Sequence, residues 1–149
     1  MTLFVNMIEL ISLLGIGLMA GASLYISWVE VPARQDLATL DKLVNWQSIF
    51  PKAMAVLKTS GMVILPFILL IMVFRFHIGW LVAFALLMAL GPFTAKKIAP
   101  TNEILLGFTP ETDTSEIERK IADWGRLHNL RTWMTGAAFA AAALASLSL

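Results

Sequence analysis

Four stretches of the chain are nearly free of charge: residues 3–29, 53–74, 78–95 and 132–149. The first is interrupted only by Asn6, Glu9 and small polar residues, and it is long enough for a helix to cross a hydrocarbon layer of ~30 Å. The second and third are separated only by Arg75-Phe76-His77. One helix through both would run about 65 Å at 1.5 Å per residue, so the chain must reverse there and form an antiparallel hairpin. The fourth stretch is Ala-rich and the weakest of the four as a span, and it is expected to continue helically from a polar segment over residues 116–131. The predicted fold is all-α: an integral membrane four-helix bundle, a single membrane domain over residues 1–149.

The connections carry patterns of their own. In loop one (residues 30–52), Leu37, Leu40, Val44, Ile49 and Phe50 recur at near-helical spacing, which predicts a short interfacial helix. In loop three (residues 96–131), Ser115 and Glu118 have the spacing of a capping box, and Ile117, Ile121 and Trp124 mark one apolar face of a second interfacial helix. Residues 107–114, rich in Gly, Pro and Thr, are expected to form a flexible connection. No internal repeat stands out. Ala20-Gly21-Ala22 has the form of a signal-cleavage site, yet no Lys or Arg precedes the apolar run, so the first span is expected to be retained.

Composition narrows the class. The chain is 58% hydrophobic and 14% charged, against about 25% charged in ordinary soluble domains. A net charge of +1 supplies no basic field, so no nucleic-acid partner is expected. The lack of cysteine removes disulfides, thiolate nucleophiles and Cys-based zinc or iron–sulfur sites. Nine of the eleven cations lie in loops one and three, Lys58 about one turn into the second span can snorkel to the same face, and Arg75 stands alone on the opposite side. By the positive-inside rule both loops are expected in the cytoplasm, with the termini on the other side. Membrane lipid is therefore an expected partner, and the spacing Gly17-x-x-x-Gly21 permits close helix packing, within one bundle or in a homo-oligomer.

The unusual polar residues gather on that same face. Glu30 and Arg34 follow the first span, Trp46 lies in loop one, Pro100 and Asn102 follow the third span, and Trp124, His128 and Arg131 precede the fourth. The last three, at i, i+4 and i+7, share one face of one helix. An imidazole whose ordinary pKa is about 6.5 is a natural proton acceptor near neutrality. Each residue also has a plainer role open to it. The tryptophans serve as interfacial anchors, Arg131 as a snorkelling or lipid-phosphate contact, Glu30 and Arg34 as a pair with each other, and Pro100 and Asn102 as the end of span three.

The run Glu30-Val31-Pro32-Ala33-Arg34, Trp46, Ile98-Ala99-Pro100-Thr101-Asn102 and Trp124-Gly-Arg-Leu-His128-Asn-Leu-Arg131 together resemble the anthrone oxygenase family, in an order that covers essentially the whole chain. Characterised fungal members oxidise anthrones to anthraquinones with molecular oxygen. The resemblance implies a flat, hydrophobic aromatic substrate and dioxygen as co-substrate. On this reading His128 is the base, Arg131 or Arg34 steadies the developing anion, and Glu30 orients the imidazole or an Arg. Trp46, Trp124 and Asn102 line the substrate site. No metal or other cofactor is expected: His77 and His128, the two histidines, fall on opposite faces of a four-span bundle.

Two readings from other classes stand beside this one. Glu9 is the one acid well inside an apolar span, as in a small proton-coupled transporter. It lies only about 9 Å from Leu3 along the helix, near the interface opposite the polar cluster. A non-catalytic membrane scaffold is the third reading.

Overall fold

The computed structural model describes residues 2–148 and contains helices and short connections only. The expected all-α, four-helix architecture is present. The helices are α1 (Thr2–Gln35), α2 (Thr39–Phe74), α3 (Ile78–Gly107) and α4 (Thr114–Leu147). Helices α1 to α3 are long and apolar enough to cross a membrane. Helix α4 is divided between a polar first half and an Ala-rich second half. Leu149, the last residue of the expected fourth stretch, and Met1 lie outside the described residues.

Helix α4 is the hub, packing along both α1 and α3, while α1 also packs along α2. At one end the core is aliphatic: Ile16, Ile68, Ile71 and Trp80 are fully buried against Ala138, Ala142 and Ala145. The small α4 residues let backbones approach closely. A Cβ placed on Gly79 would sit 2.5 Å from the Ala141 carbonyl oxygen, and one on Gly17 would sit 3.1 Å from the Phe139 ring. Gly21, the other half of the Gly17-x-x-x-Gly21 pattern, has nothing within 4 Å, so only Gly17 serves packing within the bundle. Leu3, Leu14, Leu18, Val56 and Val73 point outward, the arrangement expected where the solvent is hydrocarbon.

The same end carries the answer to Glu9. Its carboxylate accepts from Arg75 Nη1 at 3.0 Å, and Arg75 Nη2 donates to Asn6 at 2.8 Å, fastening the α2–α3 turn to α1. His77 is the N-cap of α3, its ring accepting from the Gly79 amide. It therefore lies at the opposite end of the molecule from the π turns and polar cavity described below.

Three expectations about the connections are corrected. The helix of loop one is not a separate short element: it runs through Pro51 and Pro66 as the first part of α2. Its inward face is Lys42, Leu43 and Trp46, whereas Leu37, Leu40 and Val44 are exposed. Register against α4 decides this, because Lys42 donates to both Glu118 oxygens at 2.8 and 3.0 Å and Thr39 donates to the same carboxylate. Those hydrogen bonds, from Lys42 first and Thr39 second, hold the Glu118 carboxyl below its ordinary range. Glu118 is therefore engaged elsewhere and the Ser115–Glu118 capping box does not form. Asp113 is the N-cap, accepting from the Ser115 and Glu116 amides, since a carboxylate there also meets the positive end of the helix. Finally, Pro100 and Asn102 do not end span three: α3 continues to Gly107. Gln47 there donates to the Leu105 and Phe108 carbonyls, which have no partner further along the helix.

Candidate functional site

Two wide helical turns set up the site. In α1 the Val31 amide bonds back five residues to the Ile26 carbonyl, and in α3 the Ala99 amide does the same to Thr94. Each π turn, Ile26–Glu30 and Thr94–Ile98, stands immediately before an X-Pro step, at Pro32 and Pro100. Proline lacks an amide hydrogen and crowds the preceding turn, and the wider turn accommodates it without breaking the helix. Ser27 and Glu30 are presented from the first of these turns and Ile98 from the second.

Around them the predicted residues converge. Glu30, Arg34, Trp46, Trp124, His128 and Arg131 line one cavity, together with Ile26, Phe50 and Met54. Asn102 stands behind it, accepting from Trp124 Nε1 at 3.0 Å. The Trp124 indole is the centrepiece: it stacks on the His128 ring at 4.9 Å, meets Trp46 edge-on at 5.7 Å, and has the Arg34 guanidinium 5.9 Å from its centroid. Trp46 is fully buried and stacked on Phe50 at 4.5 Å. The cavity volume is only about 20 Å³, room for one water-sized molecule.

His128 is 3% exposed. Its Nδ1 lies 3.0 Å from the Ser27 hydroxyl and 3.5 Å from that of Thr132, and those two hydroxyls are 2.7 Å apart. Thr132 in turn reaches the Ser23 carbonyl at 3.1 Å. This relay holds the imidazole from one side, so Nε2 has no hydrogen-bond partner among the described residues. Of the two partners expected for Glu30, the imidazole or an Arg, it stands beside the Arg: Glu30 lies 3.7 Å from Arg34, whose Nε donates to Asn45 at 3.0 Å. Ser27, Thr132 and Asn45 were missed by sequence reasoning. The only signal available was that Thr132 falls one helical turn after His128.

Arg131 is 7% exposed and has no carboxylate partner among the described residues. Its Nη1 faces the Met54 sulfur at 3.8 Å and its Nε makes no hydrogen bond. A buried guanidinium with unused donors is costly unless a ligand or other anion completes it. Among the described residues no group of three His, Asp or Glu side chains is placed to hold a metal ion.

Fold and site together define an all-α protein of membrane character, with an aromatic-walled, cationic cavity at one end of its bundle. The sequence model of the anthrone oxygenase family matches residues 46–141, more than half of the chain, and the chain belongs to that family. The matched region contains Trp46, Asn102, Trp124, His128 and Arg131, whereas Ser27, Glu30 and Arg34 precede it. No curated protein and no solved structure matches the chain.

Proposed function

We propose that the protein is a membrane-embedded oxygenase that acts on a flat aromatic substrate with an acidified ring-methylene group. The observation that carries this reading is the convergence of His128, Arg131, Arg34 and two tryptophans on one cavity in a member of the anthrone oxygenase family. His128 is the base. The Ser27–Thr132 pair holds Nδ1, and Nε2 accepts the methylene proton. Arg131 and Arg34 offset the charge that develops on the ring oxygen as the carbon is deprotonated. The electron-rich carbanion then reduces dioxygen. In the net reaction CH₂ and O₂ become C=O and H₂O, and the step draws on no other oxidant or cofactor. Because the polar cavity admits only something water-sized, the reacting carbon reaches His128 from beside Arg131, with most of the substrate outside that cavity.

Helix α4 supplies the fourth span through residues 132–147, and the polar cavity faces the cytoplasm because loops one and three hold most of the cations. A reporter fused to the C-terminus is expected to be active only outside the cytoplasm. The chemistry is tested with purified protein and anthrone. Oxidation to anthraquinone should require oxygen and should fall to the uncatalysed rate in His128→Ala; undiminished turnover in that variant would overturn the role of His128.

A further inference from the structure

A second, larger cavity adjoins the first and shares Met54, Leu57 and Arg131 with it. Its volume is about 490 Å³, within the range of ~300–1,000 Å³ usual for small-molecule sites. It lies between α2 and α3, and its walls are aliphatic, from Met19 of α1 to Leu87 and Leu90 of α3. Met62, Gly91 and Lys58 line it and are exposed, so the cavity opens sideways on the outer faces of α2 and α3, where lipid would lie. At its inner end is Arg131, buried and with Nε unpartnered. Among the described residues two cations, Lys58 and Arg131, and no carboxylate line a space whose other polar side chain is Thr94.

We propose that this lateral cavity binds a small organic monoanion, an apolar body carrying one carboxylate or phenolate, taken directly from the bilayer. Lys58 meets the charge at the mouth and Arg131 holds it at the inner end, where the guanidinium gains the anionic partner that the described residues do not provide. A phospholipid is the poorer occupant, because two full acyl chains exceed the cavity while a small acid fits within it. The openness of the wall is built in: a Cβ on Gly91 would meet nothing within 4 Å, and one on Gly61 only the Met19 methyl at 3.6 Å. The binding claim does not need the oxygenase chemistry, since a protein without catalytic function but with the same cavity would bind the same class of anion.

The test is fluorescence titration of the whole protein in phosphatidylcholine nanodiscs with 9-anthracenecarboxylic acid, and with the uncharged 9-anthracenemethanol for comparison. The acid should bind saturably and at least about tenfold more tightly than the alcohol, the scale of a charge-assisted hydrogen bond. Arg131→Gln should remove that preference and Lys58→Gln should reduce it. Gly91→Leu, whose Cβ meets nothing within 4 Å, occupies part of the cavity and should weaken binding of both while circular dichroism stays unchanged. Equal affinity for acid and alcohol, or full binding by Gly91→Leu, would overturn the proposal. So would displacement of the acid when phosphatidylglycerol replaces phosphatidylcholine, because that would make the site a lipid headgroup site. Binding that fails beside intact oxygen-dependent turnover would sink this inference alone, and binding that persists without turnover would sink only the enzymatic reading.

Discussion

The Ser27 hydroxyl lies 3.0 Å from His128 Nδ1, across the α1–α4 interface and more than a hundred residues apart in the chain. The contact fixes which ring nitrogen is committed to the protein and which is free for chemistry. Removing it in Ser27→Ala should therefore slow anthrone oxidation about threefold to tenfold, the value of one net hydrogen bond. The loss should appear in kcat with KM little changed, because the aromatic and cationic walls remain. A change confined to KM would assign Ser27 to substrate binding.

Asn102 is a support for Trp124 and reaches the cavity only through it. Asn102→Leu leaves the indole N–H buried without an acceptor, at an expected cost of ~1–3 kcal/mol. Thermal unfolding in detergent measures this. Asn102→Asp, which retains an acceptor at the same place, should recover most of the loss.

The Lys42–Glu118 contact makes the join between α2 and the polar half of α4 sensitive to acid. The Glu118 carboxyl titrates lower in the folded chain than in the unfolded one. Its contribution is thus fully present above the unfolded value and is lost as pH falls through the folded value. Lowering the pH below about 4 should loosen the first turns of α4, seen as smaller amide protection factors over residues 114–121, each taken relative to the intrinsic exchange rate at that pH. Glu118→Gln should flatten that acid dependence. An unaltered pH profile in this variant would show that another carboxylate controls it.

Gly79 and Gly136 should respond in opposite ways to the same methyl group. Gly79→Ala drives a Cβ into the Ala141 carbonyl and should destabilise the bundle by ~1–3 kcal/mol. Gly136→Ala meets nothing within 4 Å and lies inside α4, so it should stabilise by roughly 0.5–1 kcal/mol through helix propensity. Unfolding temperatures of the two variants decide the comparison.

Glu9 and Arg75 form one unit at the end remote from the site. Glu9→Gln and Arg75→Gln should each lower stability, and the double variant should cost little more than the worse single one. If Glu9→Gln instead left stability untouched and abolished a pH-driven flux, the acid would be a transport group.

Much of this arrangement is written in the order of residue types. Long uncharged runs require helices, and Trp124, His128 and Arg131 at helical spacing must share a face, so the gathering of polar residues at one end could be read directly. What could not be read depends on partners distant in sequence. The inward face of residues 39–50 is set by packing against α4, which buries Leu43 and Trp46, brings Lys42 onto Glu118 and leaves Val44 exposed, although the local apolar spacing favours Leu37, Leu40 and Val44. The same engagement of Glu118 removes the capping box. Ser27 and Thr132 are ordinary small polar residues until packing brings them to His128. The π turns leave no periodic trace, because each adds a single residue to a pattern that already tolerates scatter.

Those two turns have a geometric consequence. One residue added to a helix rotates everything beyond it by about 100° relative to everything before it. In α1 the wall formed by Ile26, Glu30 and Arg34 runs across one such turn. In α3 the other turn stands between the two cavities: Leu90, Thr94 and Ala95 line the lateral one and Ile98 the polar one. Deleting one residue from either turn would scarcely shorten a span, yet it would swing a wall of the site out toward the lipid.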